Sequence, residues 1–205
     1  MKRFAIITLA VLMGTALSGE GETMAKEERA LERITLGGGC FWCIEAVFEE
    51  LEGVVKAESG YAGGDGPAEY KAVCSGTTGH AEVVQVTYDP AVVSVRDILG
   101  VFFAVHDPTT LNRQGADVGT QYRSVIFHEN KAQAVAAQEA VAKLEADEVW
   151  PDRVVTQIEP LEEFFPAEPY HQDYYRNNKS QGYCQVVINP KLAKFRKEFA
   201  ERLKD

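Results

Sequence analysis

Three consecutive glycines, Gly37–Gly39, stand between segments of different hydrophobic period, and this junction constrains the chain more than any other feature. Upstream, Arg33–Leu36 reads as a short strand. Downstream, Phe41, Ile44, Val47, Phe48 and Leu51 recur at helical spacing, with Glu45, Glu49, Glu50 and Glu52 on the opposite side. Gly53 follows as a helix stop. A chain that changes period across a glycine run must turn sharply from strand to helix. Cys40 is the residue at that turn.

The remaining periodicity is read the same way. Val54–Tyr61 is a second strand, followed by a turn-rich stretch, Gly63–Pro67. In Glu82–Tyr88, Val84, Val86 and Tyr88 alternate with Val83, Gln85 and Thr87, and Asp89–Pro90 ends the strand. Ser94 with Asp97 forms a capping-box variant ahead of an apolar helix face of Val95, Ile98, Leu99, Phe102 and Phe103. Tyr122–Phe127 reads as a strand, Asn130 opens an Ala-rich helix running to about Trp150, and Val154–Ile158 is a further strand. Asn189–Pro190 starts a last helix bearing Leu192, Phe195, Phe199 and Leu203. Phe164–Gln185 fits neither period. The expected class is α+β: a split β-α-β (ferredoxin-like) two-layer sandwich on a mostly antiparallel sheet, with an irregular C-terminal segment and a final helix.

With 205 residues, 45% of them hydrophobic, the chain can bury one ample core without staples. Its formal charge of −10 and the absence of a basic cluster argue against nucleic acid or an anionic membrane as partner. Residues 1–18 have the shape of a secretory signal peptide: Lys2 and Arg3, an apolar run from Phe4 to Leu17, then small residues up to Ser18. An uncleaved anchor is the alternative. Residues 19–32 read as a polar, acidic tether, and the folded body spans 33–205. The expected location is periplasmic or secreted, or cytoplasmic if translation starts at Met24.

The chemistry gathers at the strand-to-helix turn. Free N–H groups and the positive end of the helix dipole are expected to lower the Cys40 thiol pKa and favour a nucleophilic thiolate. The glycines would leave space above the sulfur, and Phe41 and Trp42 would form an aromatic wall at the mouth of the turn. The bland alternative is a buried Cys40 packed as a small hydrophobe. Cys43 completes C-F-W-C, which by itself fits a redox pair or half a zinc site that Cys74 and His80 would complete.

Beyond that turn, the order of GGCFWC, GYAGG at Gly60–Gly64, EYKAVCSGTTGHAEVVQVTYDP from Glu69, HDPTTLNRQGADVGTQYRSVIF from His106 and EPYHQDYY from Glu168 resembles the peptide methionine sulfoxide reductase A family over nearly all of Ile34–Phe199. The resemblance implies that Cys40 is the catalytic thiol and that Phe41 and Trp42 hold the substrate methyl group. It implies that Glu82 protonates the sulfoxide oxygen, that Tyr70 and Tyr122 hydrogen-bond that oxygen, and that Asp117 belongs to a polar network near the site. Attack on a sulfoxide sulfur needs a thiolate and a neutral acid together, and a desolvated Glu82 would supply the acid.

The resulting sulfenic acid requires a second thiol. Cys184, in Gly182-Tyr183-Cys184, matches a resolving position of the family and is expected to be mobile enough to reach Cys40. Cys43, which stands where many members have glycine, is the other candidate. Cys74 is assigned a structural part, and the four histidines are read as scaffold or surface residues. The implied activity is reduction of free and protein-bound methionine S-sulfoxide by a monomer with no bound cofactor or metal, recycled by a thioredoxin-like reductant. A general C-x-x-C thiol–disulfide oxidoreductase and a zinc module are the rivals.

Overall fold

A computed structural model of the chain describes residues 30–204. The signal peptide and nearly all of the tether lie outside the described residues. Strand β1 (Glu32–Gly38) leads through Gly39 and Cys40 into helix α1 (Phe41–Glu49). Strand β2 (Val54–Ala62), a short helix α2 (Tyr70–Cys74) and strand β3 (Ala81–Tyr88) follow. Helix α3 (Val95–Val105) begins at Ser94, whose side chain and that of Asp97 form the reciprocal capping box. A two-residue ribbon, β4 (Arg113–Gln114) with β5 (Asp117–Val118), precedes β6 (Ser124–His128) and α4 (Lys131–Ala146). The chain then adds β7 (Gln157–Pro160), β8 (Phe164–Pro166), α5 (Tyr174–Asn177) and α6 (Asn189–Glu198).

Six strands form one sheet in the order β7-β6-β1-β3-β2-β8. Every pairing is antiparallel except β6 with β7, which makes the sheet mixed and the class α+β. Strand alternation sorts its two faces. Ile34, Leu36, Val84, Val86, Tyr88 and Ile126 join the large core beneath the helices. Ala62, Ala81, Val83, Val125 and Phe127 form a smaller cluster on the other face, covered by Leu161 and Phe164. Glu82 shares the parity of Val84 and Val86, so it faces the helical layer. Because β1 and β3 run antiparallel, with Leu36 opposite Val84, the end of β1 that leads into Cys40 lies beside the start of β3 that carries Glu82.

The glycine run has a different purpose from the one expected. Only Gly39 takes a left-handed turn, at φ +93°. Gly37 and Gly38 lie in β1, where a Cβ would strike Val125 and Phe102 respectively. They admit close packing beneath the strand rather than space above the sulfur. His106, the C-cap of α3, is fully enclosed beside Gly38, and burial holds its pKa down to about 4.

Other boundaries move for identifiable reasons. Tyr122 closes a 3-10 turn, Thr120–Tyr122, and β6 starts two residues later at Ser124. Glu45, placed by periodicity on the solvent side of α1, is buried, because α5 and its approach cover that face of the helix. Phe164–Gln185 is built of short ordered pieces: β8, a 3-10 turn at Pro169–His171, and α5. Cys184–Ile188 forms a π-helical turn that runs directly into α6. Pro190 lacks the N–H that an α-helix would bond one turn back, and a widened turn accommodates it.

The far end of α1 is clasped by the chain's C-terminal stretch. Leu51 bridges Leu203, Glu52 N–H donates to the Arg202 carbonyl at 2.8 Å, and Lys204 N–H donates to that of Glu50 at 2.9 Å. Among the described residues no helix is long and apolar enough to cross a membrane.

Candidate active site

Cys40 is the N-cap of α1 and makes no side-chain cap bond. The Phe41 N–H, the first donor of the helix, goes to Glu82 Oε2 at 3.1 Å. The Cys43 N–H closes on the Cys40 carbonyl at 3.1 Å. The donors that were to stabilise a Cys40 thiolate are thus largely engaged elsewhere, and the sulfur is buried. Burial first, then the Cys43 thiol and the Glu82 charge, push the Cys40 pKa up rather than down. Cys43 moves the other way, chiefly through its hydrogen bond with Cys40, with help from the Lys191 cation on α6.

Glu82 is 2% exposed. Burial raises its carboxyl to about 8 against the Phe41 hydrogen bond, and the nearby Asp117 and Cys43 charges add to the rise. At neutral pH it is a neutral acid beside a sulfur. The phenols of Tyr70 and Tyr122 are half-buried and pushed up by burial and, among other neighbours, by the charges of Glu82 and Cys40. Both stay protonated. The same two neighbours, Glu82 and Cys40, act on both phenols.

Phe41 is buried and Trp42 half-buried, so only the second ring stands at the mouth of the turn. The Trp42 indole stacks on Tyr174 with centroids 3.6 Å apart and planes 7° apart, and it meets Tyr183 edge-on at 5.8 Å. Its Nε1–H donates to His171 Nδ1 at 3.2 Å, and the His171 ring lies 5.0 Å from that of Phe41. Asp117 is tied in through Tyr183, whose hydroxyl donates to Asp117 Oδ2 at 2.8 Å and lies 3.9 Å from Cys43 Sγ.

The sequence reading missed Tyr61, Tyr174, Tyr183 and Glu168 as individual site residues. Glu168 accepts from Tyr61 Oη–H and from the Tyr70 N–H, each at 2.9 Å, and so sets the start of α2 against the site. For all but Tyr61, which lies in β2, the signal was the density of Pro, Tyr, Asn and Gln in a segment without regular period. Cys184 is fully buried in the π-turn rather than lying on an irregular arm. It is close enough to Cys43 for the charge there to raise its pKa, in addition to burial. Cys74 is exposed on α2, hydrogen-bonded to Tyr70. All four thiols are free. Among the described residues no three His, Cys, Asp or Glu side chains converge in a way that could hold a metal ion.

Comparison with known proteins gives the family. The family model for peptide methionine sulfoxide reductase matches residues 32–203. A peptide methionine sulfoxide reductase MsrA from Polynucleobacter asymbioticus is 54% identical over 179 residues, covering 87% of this chain and 94% of its own. Among solved structures, Mxr1 from Saccharomyces cerevisiae in reduced form superposes with a TM-score of 0.71 at 37% identity, covering 80% of this chain and 94% of its own. Mxr1 in complex with Trx2 gives a TM-score of 0.52 at 27% identity, covering 75% and 91%.

Proposed function

The chain belongs to the peptide methionine sulfoxide reductase family, and on that premise we propose that it reduces methionine S-sulfoxide, free and in proteins, with Cys40 as nucleophile and a thioredoxin-like protein as electron source. One observation carries the assignment: a buried carboxyl, Glu82, accepts the first N–H of the helix that begins at a buried thiol, Cys40, and burial raises that carboxyl to about 8. The relatives named MsrA support the peptide-methionine (S)-S-oxide specificity, and the Mxr1–Trx2 complex supports the reductant.

The chemistry follows from these neighbours. The sulfoxide methyl group packs on Phe41 and Trp42, and its oxygen faces Glu82, Tyr70 and Tyr122. As the Cys40 sulfur attacks the sulfoxide sulfur, Glu82 gives its proton to the oxygen, and the phenols stabilise the charge that develops there. The Cys40 proton replaces the one Glu82 has given. In balance, thiol and sulfoxide become sulfenic acid and thioether: Cys40 is oxidised and the substrate sulfur reduced. A second thiol then displaces the hydroxyl as water and forms a disulfide, which an external dithiol reduces.

The structure alters the preference between the two resolving thiols. Cys43 already touches Cys40, whereas Cys184 is buried in the π-turn and would have to leave it to reach Cys40. We read Cys43 as the first acceptor and Cys184, its neighbour in the core, as the next.

The outer parts of the reading have their own support. The sequence of residues 1–18 supports export to the periplasm or beyond, with a cytoplasmic product if synthesis begins at Met24. The antiparallel order β6-β1-β3-β2, with α1 and α3 as crossovers, supports a ferredoxin-like core. A monomer with no bound cofactor suffices for the chemistry.

Turnover on separated sulfoxide epimers, with thioredoxin, its reductase and NADPH, tests the assignment. Selective use of the S epimer, lost in Cys40→Ser, is the expected result. Disulfide exchange without sulfoxide turnover would leave a general thiol oxidoreductase. Mass spectrometry after one turnover should find Cys40 bonded to Cys43, and Cys43→Ser should accumulate the sulfenic acid.

A further inference from the structure

Glu45 is a buried acid that the reaction above does not use. It is 1% exposed and lies on α1 three residues after Trp42, so the two side chains are neighbours along the helix. Its surroundings are Ser59 on β2 and the start of α5. The Tyr174 N–H donates to Glu45 Oε2 at 3.3 Å, and the Asp173 N–H donates to the same carboxylate.

Those donors open α5, and α5 has no cap of its own. Its N-cap residue, Asp173, sits in the left-handed region at φ +51° and makes no side-chain cap bond. Glu45 thus supplies from α1 the acceptor that the start of α5 lacks. Arg176 reinforces the contact from outside, 3.2 Å from Glu49 and 3.3 Å from Asp173. The first residue of α5 is Tyr174, the ring that lies flat on Trp42.

We propose that Glu45 is a positioning residue that sets selectivity for a methyl sulfoxide: by capping α5 it holds Tyr174 against Trp42 and fixes the width of the pocket that takes the group on sulfur. The inference deepens the proposed function and rests on its reading that Phe41 and Trp42 receive the methyl group. An unfastened Tyr174 would leave the Trp42 ring held only from its other sides, by His171 and the edge of Tyr183, admitting a longer alkyl group and gripping a methyl group less well.

The test compares methionine sulfoxide with ethionine sulfoxide in variants built on Trp150→Phe, so that Trp42 alone fluoresces. Glu45→Ala should raise KM for the methyl substrate about tenfold. It should narrow the methyl-over-ethyl preference about fivefold. The saturated single-turnover rate should stay within about twofold. Trp42 emission should shift as the stacked ring departs, and Glu45→Gln, which keeps an acceptor oxygen, should restore most of both effects. Tyr174→Ala should reproduce the change, with Glu45→Ala adding nothing on top of it.

Unchanged KM and selectivity in folded Glu45→Ala would overturn the proposal, as would effects that simply add to those of Tyr174→Ala. Unchanged selectivity in Tyr174→Ala overturns it whether or not the Glu45 variant folds. Trp42→Ala separates the two levels. No change there removes the methyl-pocket reading itself, whereas a change there with none in Glu45→Ala removes only the part given to Glu45.

Discussion

Glu82 and Glu45 are nearly twins by environment. Both are almost fully buried, both accept a backbone N–H, and burial raises both, to about 8 and about 7. Yet Glu82 has a thiol and two phenols around it, while Glu45 has a hydroxyl, other carboxyls and the start of a helix. A raised carboxyl pKa marks desolvation; the company it keeps decides whether the proton goes anywhere.

Four measurements press on that contrast. Glu82→Gln should slow single-turnover reduction by roughly 10²–10⁴, because the amide has no acidic proton to give. Rapid-quench kinetics at saturating substrate reads this, and an unchanged rate would make Glu82 as silent as its twin. Stability should move in the opposite direction. With a folded pKa near 8 and an unfolded one near 4.5, the Glu82 contribution is full below about pH 4.5 and lost as pH rises towards 8. Glu82→Gln does not titrate, so urea midpoints should show it gaining on the order of a few kcal/mol over the parent at pH 8, and little at pH 4.5.

The pH profile of the chemical step is the third measurement. The step needs the protonated acid, so its rate should fall about tenfold per unit above pH 8, and that limb should vanish in Glu82→Gln. The smallest effect belongs to Glu45→Gln, whose saturated single-turnover rate should stay within about threefold of the parent. A larger loss would give both carboxyls a share in proton transfer and dissolve the contrast.

What the sequence showed and what it hid divide along the same line. Alternation in Glu82–Tyr88 puts Glu82 on the face of Val84 and Val86, and the period change at Cys40 puts the thiol at a helix start. Ser94 and Asp97 announce their cap. These are local signals, carried by residues a few positions apart. Glu45 looked like part of a solvated face because what covers it, Asp173 and Tyr174, lies well over a hundred positions away. The Cys40 pKa was misjudged for the same reason: the donor meant for it is taken by Glu82, which arrives from another strand. Helix α2 is too short for any period to show, so Tyr70 was found by motif alone.

The clasp between α1 and the C-terminal stretch has a consequence for the protein's birth. Leu51 and Leu203 are separated by roughly 150 positions, so the far end of the thiol-bearing helix stays unfastened until that much chain has left the ribosome. At ordinary elongation speeds this takes roughly 8–30 s. The thiol-bearing helix is thus synthesised early and fastened late.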